Sequence, residues 1–205
     1  GLGRIARVLW LIPSMDRLWI EGTDGRRRFL DRMTLSFLPD HAEHALAYDK
    51  AMRERNRLLK DMVREPSWYT ALEMRMAEAG AAIHSGRLHA LAAIESAQKQ
   101  TETAFPAAHL TLQCEMPSEP QELRAALADN RTRDLAAGRT LIGPHRADLY
   151  GVFAAKGVPA TDCVNWACDG AVSWCSCYNA NDEVAYTNAG CKADGVDCAC
   201  RTCTP

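Results

Sequence analysis

The chain has 205 residues, 47% of them hydrophobic and 24% charged, with a formal net charge of −2 at pH 7. This composition is typical of an ordinary globular protein with one sizeable core. The near-neutral charge excludes a whole-chain electrostatic case for nucleic-acid binding, so such a case depends on local clusters. The most apolar early stretch, ARVLWLIPSM, is broken by Pro13 and is much shorter than the ~20 residues of a membrane span, so no membrane partner is predicted.

Two short apolar segments and a helix are predicted first. RIARVLWLIP, residues 4–13, has the β-branched and aromatic content of a buried strand, and DRLWIEG follows as a second apolar element. Asp24 and Gly25 are a typical turn pair. After them the spacing predicts a helix whose apolar face carries Phe29, Leu30 and Met33.

Residues 39–63 predict a second helix. Asp40 is the expected N-cap, and Glu43 three residues later completes a capping-box pattern. One face carries a broken apolar stripe, and the opposite, basic face is expected to be solvated. The apolar stripe consists of Ala45, Tyr48, Met52, Leu58 and Leu59, and the basic face of Arg53, Arg55, Arg57 and Lys60.

A long third helix, ending near Gln100, is predicted after Glu65-Pro66, with Ser67 as its cap. Two long amphipathic helices joined by a short connection favour an antiparallel hairpin. The apolar stripe of this third helix is predicted to contain Trp68, Leu72, Met76, Ala79 and Ile83, continued by Leu88, Leu91 and Ile94.

The chain then returns to strands, which makes the predicted fold class α+β with a helical section inserted between strands. AAHLTLQCEM, residues 107–116, alternates like a strand, and one helix is expected from Pro120 to a C-cap at Gly138. Residues 139–160 predict strand, Gly-Pro turn, strand and Gly-rich turn. In the second of these strands the period of two puts Arg146 and Asp148 on one face.

No complete active site is visible before the cysteine-rich segment, because no P-loop, GxSxG or HExxH pattern occurs. Three basic segments could instead meet phosphates. Arg27 and Arg28 either grip a phosphate or pair with Asp24 and Asp31. The arginines of RERNR, which are Arg53, Arg55 and Arg57, either contact a nucleic-acid backbone or form a solvated face. In GPHRADL, either Arg146 meets a phosphate, or Arg146 and Asp148 form a structural ion pair with His145 packed.

The C-terminal segment differs from the rest, since eight of the nine cysteines lie between Cys163 and Cys203. Three alternatives are open: a frameshifted, mis-joined or fused C-terminus, a small metal-binding module, and a disulfide-rich module. No cysteine precedes Cys114, which favours a reducing cytoplasm and argues against the third alternative. Candidate zinc ligands are Cys168, Cys175, Cys177, Cys191, Cys198, Cys200 and Cys203, and the spacing Cys-x6-Cys-x-Cys occurs twice among them.

Three motifs occur in the order and spacing of the RecF family, the bacterial DNA replication and repair proteins. They are VLWLIPSMDRLW followed by RRRFLDR, then YDKAMRERNRLLKD, then DNRTRDLAAGRTLIGPHRADL. From about residue 5 to about residue 160 the chain resembles the middle portion of that family. Arg27, Arg28 and Asp31 match its RRxFLD motif, and His145 and Asp148 match its GPHxxDL pattern.

The resemblance implies an ATPase head of the ABC/SMC type. Residues 1–160 would be the RecF-like region, with a helical lobe over about 40–105 and strands returning to the core over about 107–155, and residues 161–205 a cysteine-rich tail unrelated to the family. The resemblance also implies ATP and Mg²⁺ as cofactors, DNA at single-strand gaps, RecR and RecO as partners, an ATP-dependent homodimer, a link to the SOS response and a bacterial cytoplasmic location.

The sequence departs from the family at the motifs that close an ATP site. In the family a Walker A loop lies in the part before this chain begins, and an ABC signature is expected almost directly after KGVPA. Here TDCVNWACDGAVSW stands in that place, and no Walker B motif follows. We therefore expect this chain alone to lack the family's ATP chemistry. The alternative function is a truncated, non-enzymatic helical interaction module with a metal-binding cysteine-rich tail.

Overall fold

The computed structural model describes residues 18–19, 22–101, 107–154, 158–159, 165–168, 174–178 and 184–189. Within them the chain forms five α-helices, a short 3-10 turn and six strands. The helices are α1 (Thr23–Phe37), α2 (His41–Lys60), α3 (Pro66–Gln100), α4 (Pro120–Asp129) and α5 (Arg131–Ala137), with the 3-10 turn at Pro144–Arg146. The strands are β1 (Ala108–Gln113), β2 (Asp148–Phe153), β3 (Val158–Pro159), β4 (Asn165–Cys168), β5 (Trp174–Tyr178) and β6 (Val184–Ala189).

The first helix starts earlier than its sequence indicates. Asp24 and Gly25 lie in the first turn of α1, so the predicted turn at this pair is wrong. The helical spacing that follows is confirmed, because α1 buries Leu30, Met33 and Thr34 on one face. The predicted strand at residues 4–13 lies outside the described residues.

The predicted helical hairpin is confirmed. Asp40 precedes α2 at the N-cap position but makes no side-chain cap bond, and Glu65, not Ser67, caps α3 by accepting a hydrogen bond from the Ser67 N–H. The helices run antiparallel, because contacts that advance along α2 move back along α3. These contacts pair His41 with Gly86, Tyr48 with Gly80, and Arg55 with Glu73.

Two apolar cores lie along α3. The first is formed by α2, α3 and α4, and the second by α1, the C-terminal part of α3, and β2. Trp68 is 64% exposed and Leu88 is 46% exposed, so their predicted place in the buried stripe is wrong. The residues that fill the first core are Tyr48, Ala51, Leu72, Met76, Ala77, Ala79, Ile83, Leu123 and Leu127, and those of the second are Leu30, Met33, Leu91 and Leu149.

The segment between α3 and β2 corrects two further predictions. The single helix expected up to Gly138 is two helices, α4 and α5, which meet at Asn130; Gly138 is confirmed as the left-handed C-cap, with φ of 63°. Residues 139–142 form no strand. Two of their backbone N–H groups bond to side chains instead, since Thr140 N–H donates to Asn56 Oδ1 at 2.8 Å and Leu141 N–H donates to Asp134 Oδ1 at 3.0 Å.

The strands form two antiparallel sheets. In the first, β2 lies between β1 and β3, and the register of β1 with β2 runs from Ala108 opposite Phe153 to Gln113 opposite Asp148. In the second, β5 lies between β4 and β6, with Cys168 opposite Cys175. No helix of the described residues combines the length and the apolar character needed to cross a membrane.

Candidate functional site

The GPHR turn, residues 143–146, is built around the hydroxyl of a tyrosine from the hairpin. Gly143 has φ of 139°, which favours glycine, and a Cβ there would collide with Tyr48 Oη. Pro144 packs close to Gly80 of α3. The close contact of the turn with the hairpin therefore depends on the missing side chain of Gly143.

His145 holds the Tyr48 hydroxyl by a hydrogen bond. Its Nε2 lies 3.1 Å from the carbonyl oxygen of Thr140, which can only accept, so Nε2 carries the proton. Nδ1 then accepts from Tyr48 Oη at 2.8 Å. Burial raises the pKa of Tyr48, which keeps the phenol protonated as the donor, and burial lowers the pKa of His145, which favours the neutral ring.

Arg87 of α3 joins the hairpin to the RRRFLD segment and to the GPHR turn. Its guanidinium donates to Asp31 through Nε at 2.8 Å and Nη2 at 3.0 Å, and its Nη1 donates to the Pro144 carbonyl at 2.7 Å. Asp31 also accepts from His41 Nε2 at 2.8 Å. Burial alone would raise the pKa of Asp31, but the hydrogen bonds from His41 and Arg87 lower it overall, so the carboxylate is ionised at neutral pH. We call Asp31, His41 and Arg87 the base cluster.

The Arg146–Asp148 ion pair, one of the two alternatives predicted for GPHRADL, does not form. Asp148 accepts two hydrogen bonds from the nearly buried Arg26, from Nε at 2.7 Å and from Nη2 at 2.9 Å. Arg146 lies in the 3-10 turn before β2 begins and is exposed, so the strand period does not place it beside Asp148. The bidentate pair of Arg26 with Asp148 joins α1 to the start of β2.

Arg27 pairs with Asp24, as one of the two alternatives predicted, and also donates to the Ala147 carbonyl at 2.9 Å. Asp31, the other predicted partner, belongs instead to the base cluster. Arg28 is exposed and makes no hydrogen bond or ion pair with any residue that the structure describes. It is the one cation of the RRRFLD motif left available to an outside group in the described part of the chain.

The RRRFLD segment and the GPHR turn line one cleft of about 470 Å³, which we call the motif cleft. Its wall brings together side chains separated by more than 110 positions in the sequence. The open rim includes Leu46, which is 70% exposed. The lining residues from these two segments are Arg27, Arg28, Asp31, Pro144 and His145, and the hairpin adds Tyr48, Met52, Ile83 and Arg87 among others.

The basic face predicted for α2 divides into exposed and buried arginines. Arg53 is exposed and pairs with Asp49, and Arg57 is exposed, so both agree with a solvated face. Arg55 is fully buried, and that prediction is wrong for it. Its guanidinium contacts Glu73 at 3.2 Å and Asp134 at 2.6 Å. We call Arg55, Glu73 and Asp134 the buried cluster.

Further hydrogen bonds complete the buried cluster. Arg55 also donates to Thr140 Oγ1 at 2.9 Å and to the Leu127 carbonyl at 3.0 Å, while Arg131 pairs with the same Glu73 carboxylate. Almost every polar atom there has an internal partner. A buried charge needs such partners, so the cluster is a structural joint between the hairpin and α5 and offers nothing to a ligand.

Sequence reasoning missed the residues on α3 and α2 that hold the motifs, chiefly Tyr48 and Arg87. Tyr48 was assigned to the apolar stripe, and Arg87 to no site. A signal was present in Gly80 and Gly86, because two glycines on one helix indicate close approach of another element. The candidate zinc ligands Cys168, Cys175 and Cys177 lie in β4 and β5, and Cys191, Cys198, Cys200 and Cys203 lie outside the described residues.

The described residues contain no group of three or more His, Cys, Asp or Glu side chains arranged to hold a metal. The motif cleft offers one available guanidinium, Arg28, a part-buried Tyr48–His145 pair and three carboxylates, Asp24, Asp31 and Asp49. The carboxylates are paired with arginines, Asp24 with Arg27, Asp31 with Arg87 and Asp49 with Arg53, so Arg28 is the lining group that can hold an anion.

Comparison with curated proteins gives similar sequences named DNA replication and repair protein RecF. The RecF of Brucella abortus (strain 2308) is 43% identical over 169 residues, which cover 77% of this chain and 44% of the relative. The RecF of Mesorhizobium japonicum is 45% identical over 169 residues, with the same coverage, and that of Caulobacter sp. (strain K31) is 42% identical over 180 residues, covering 78% and 46%. The chain thus spans less than half the length of these relatives. No protein-family model matches it.

Two solved structures share the fold. One is described as the recombination mediator protein RecF-ATP in the RecFOR pathway; it has a TM-score of 0.60 at 23% identity and covers 69% of this chain and 42% of its own. The other, described as RecF-ATPrS in the same pathway, has a TM-score of 0.62 at 22% identity and covers 76% and 45%. Over the part that aligns, the chain is therefore similar in sequence and in fold to a portion of the RecF proteins.

Proposed function

We propose that this chain acts in DNA replication and recombinational repair as part of a RecF protein that binds DNA at single-strand gaps. The observation that carries the proposal is the meeting of the RRRFLD and GPHR segments in the motif cleft, since both segments belong to motifs in which the chain resembles the family. Sequence identities of 43% and 45% with two RecF proteins over most of the chain support the same assignment.

Three exposed arginines are the proposed DNA contacts. Arg28 lies at the motif cleft, and Arg53 and Arg57 lie on the exposed face of α2. Of these, Arg53 is already paired with Asp49, so it has less to offer a phosphate. Arginines of this kind contact the backbone of a nucleic acid and do not read its sequence. Arg146, exposed beside the GPHR turn, is a fourth candidate.

A salt titration of DNA binding tests this proposal. The chain is titrated with a gapped duplex and with intact duplex of the same length at several salt concentrations. If Arg28 and Arg57 each neutralise one phosphate, the double variant Arg28→Ala/Arg57→Ala lowers the slope of log K against log salt by about 2. Preference for the gapped duplex supports the proposed gap specificity.

Arg124→Ala is the matched control, because Arg124 is exposed on α4 and does not line the motif cleft. It should leave the salt slope within error of the parent chain. Equal slopes for the double variant and the parent would contradict the proposed contacts. No measurable binding to either DNA would contradict the assignment of DNA contacts to this part of the protein.

ATP, Mg²⁺, RecR, RecO and the ATP-dependent homodimer belong to the proposal for the longer protein. The sequence contains no GxxxxGK[ST] pattern, and the described part of the chain contains no group of three or more side chains arranged to hold a metal. In the same proposal, the hairpin of α2 and α3 is the helical lobe at about residues 40–105, and the sheet of β1 and β2 returns to the ATPase core. A cytoplasmic location and a role in the SOS response complete it.

A zinc-binding tail is the second proposal, favoured by one feature of the backbone. The register of β4 with β5 puts Cys168 directly opposite Cys175, and directly opposed residues in antiparallel strands have Cα atoms about 4.5–5.5 Å apart. Elemental mass spectrometry of the purified chain tests it. Near-stoichiometric zinc that is lost in Cys168→Ser/Cys175→Ser supports the tail as a metal module, and metal-free chain contradicts it.

A further inference from the structure

A second cavity, of about 430 Å³, is lined by the GPHR turn, by α5 and by the adjacent ends of β1 and β2. It shares no lining residue with the motif cleft, because Arg146 of the turn lines the cavity, whereas Pro144 and His145 line the cleft. We call it the two-arginine pocket, after Arg133 and Arg146 in its lining. The GPHR turn therefore contributes to two separate openings.

The two arginines of this pocket are unpaired. Arg133 lies on α5 and Arg146 in the 3-10 turn, and both side chains are exposed, so a ligand can reach them. Neither guanidinium makes a hydrogen bond or an ion pair with any residue that the structure describes. Two positive charges that line one cavity repel each other, and an anion bound there relieves this repulsion.

The other titratable groups in the lining leave the pocket positive. Asp148 is already neutralised by Arg26, which donates to it at 2.7 Å and 2.9 Å. Burial raises the pKa of the Cys114 thiol, so the thiol is uncharged at neutral pH. Glu115 is exposed and is the one unpaired carboxylate of the lining. Two unpaired positive charges therefore face one unpaired negative charge, and this balance favours an anion.

Both arginines extend from backbone that is held in place. Asp134, which follows Arg133 on α5, is fully buried and accepts a hydrogen bond from Arg55 at 2.6 Å. The backbone N–H of Arg146 donates to the carbonyl oxygen of Gly143 at 2.9 Å. Because the backbone is fixed before a ligand arrives, binding has to order only the two side chains.

We propose that the two-arginine pocket binds the phosphate group of a small phosphomonoester, to which the guanidiniums of Arg133 and Arg146 both donate. A guanidinium donates two parallel hydrogen bonds to phosphate oxygens. A phosphomonoester presents three terminal oxygens and a charge of about −1.5 to −2 at pH 7, so it can serve both guanidiniums. A phosphodiester has one terminal oxygen fewer and a single charge, and is expected to bind more weakly.

The size and the walls of the pocket fit a small ester. Its volume lies within the roughly 300–1,000 Å³ range of ligand pockets, which leaves room for an organic group beside the phosphate. Leu141 and Ile142, which are half-buried in the lining, provide apolar contacts for that group.

Nuclear magnetic resonance of the arginine side chains tests the site. The full chain, labelled with ¹⁵N-arginine and kept reduced, is titrated at pH 7 with ethyl phosphate, and a parallel sample is titrated with diethyl phosphate at equal ionic strength. We expect saturable shifts of the Nε–H resonances of Arg133 and Arg146 with the monoester, and binding of the diester at least about threefold weaker. Absence of a saturable shift with ethyl phosphate, or equal affinity for the diester, overturns the proposal.

Exposed variants localise the binding without disturbing the core. Arg133→Ala and Arg146→Ala should each weaken the binding of ethyl phosphate about threefold, as expected for one exposed charge contact. Glu115→Gln should tighten it about threefold, because the unpaired carboxylate of the lining is removed. Arg139→Ala is the matched control, since Arg139 is exposed in the same segment and does not line the pocket. Unchanged affinity in Arg133→Ala, or an equal loss in Arg139→Ala, overturns the site.

The pocket and the proposed DNA contacts can fail separately, because Arg133 is not among those contacts. Arg133→Ala should weaken the binding of ethyl phosphate and leave the salt slope of binding to the gapped duplex unchanged. Ethyl phosphate that binds to a chain without measurable DNA affinity would support the pocket and contradict the DNA contacts. A salt slope lowered by about 1 in Arg133→Ala, with unchanged affinity for ethyl phosphate, would assign Arg133 to the DNA backbone and overturn the pocket.

Discussion

The buried cluster and the base cluster use the same chemistry on the same hairpin, but they differ in access to solvent. In the buried cluster the side chains of Arg55, Glu73 and Asp134 are 0%, 1% and 0% exposed. In the base cluster Arg87 is similarly buried at 5%, but its partner Asp31 is 31% exposed and lines the motif cleft. One carboxylate is sealed, and the other faces an opening.

Because of this difference in exposure, we assign a structural role to the buried cluster and a candidate binding role to the base cluster. A sealed ion pair is fully desolvated and leaves no group for a ligand, so its role is to hold the hairpin against α5. A half-open carboxylate that already holds His41 and Arg87 keeps a surface that a partner can reach. The same comparison predicts where substitutions damage stability and where they change binding.

Arg55→Met should cause the largest loss of stability. It leaves the Asp134 carboxylate buried without its strongest partner, whereas Glu73 retains Arg131. Removing one partner of a buried pair typically costs about 3–5 kcal/mol. Urea denaturation of the full chain measures it. Arg53→Met is the control on the same helix, and because its pair with Asp49 is exposed it should cost about 0.5 kcal/mol or less. Similar losses for both variants would contradict the sealed character of the cluster.

Gly143→Ala should cost about 2–4 kcal/mol, from backbone strain at φ of 139° and from the collision of the new methyl group with the Tyr48 hydroxyl. Tyr48→Phe alone should cost about 1 kcal/mol, the contribution of its hydrogen bond to His145. The double variant should cost less than the sum, because the hydroxyl that collides is gone. Strict additivity in urea denaturation would show that the turn does not depend on this contact.

The helices and the hairpin were predictable from sequence because their signals are local. Apolar residues at helical spacing, a proline at the start of α3 and α4, and Gly138 at the end of α5 each act within one or two turns. The predicted turn at Asp24–Gly25 failed because α1 continues through it, and its first turn tolerates an aspartate near the helix N-terminus.

The partners of charged residues were not predictable, because they depend on which elements meet in space. Arg55 lies in the same RERNR segment as Arg53 and Arg57, but helical spacing puts it on the buried face of α2 with Ala51 and Leu59, which the grouping of the three arginines overlooked. That Asp134 is its partner depends on how α5 packs against α2. Asp148 pairs with Arg26, which is 122 positions away in the sequence, whereas the nearby Arg146 is exposed in the turn. The motif segments were recognisable in the sequence, but the cleft that they share was not.

Asp148→Asn tests this corrected pairing. It removes the charge that holds the nearly buried Arg26 and should cost about 1–2 kcal/mol, in the range of a hydrogen bond to a charged group. Arg146→Ala should cost about 0.5 kcal/mol or less, since Arg146 is exposed and is not the partner. Equal losses in the free energy of unfolding for the two substitutions, measured by urea denaturation, would contradict the Arg26–Asp148 pair and favour the Arg146–Asp148 pair.

The smallest effect expected is a pH dependence at the GPHR turn. Burial lowers the pKa of His145, and the nearby positive charges of Arg146 and Arg27 lower it further. Between the depressed folded pKa and the ordinary value of about 6.5, the unfolded chain binds more protons than the folded one. The contribution of His145 to stability is therefore complete above about pH 6.5 and is lost as the pH falls through the folded value.

Urea denaturation at pH 7.5, 6.5 and 5.5 checks this prediction. His145→Gln should flatten the fall in the free energy of unfolding on acidification, and Arg146→Ala should flatten it less. His84 has a pKa lowered by burial and acts in the same direction, so His84→Gln measures the remaining slope. Asp31 does not interfere, because its pKa is lowered and its contribution is lost only below about pH 4. A slope unchanged in His145→Gln would mean that the Tyr48–His145 contact is not sensitive to protonation.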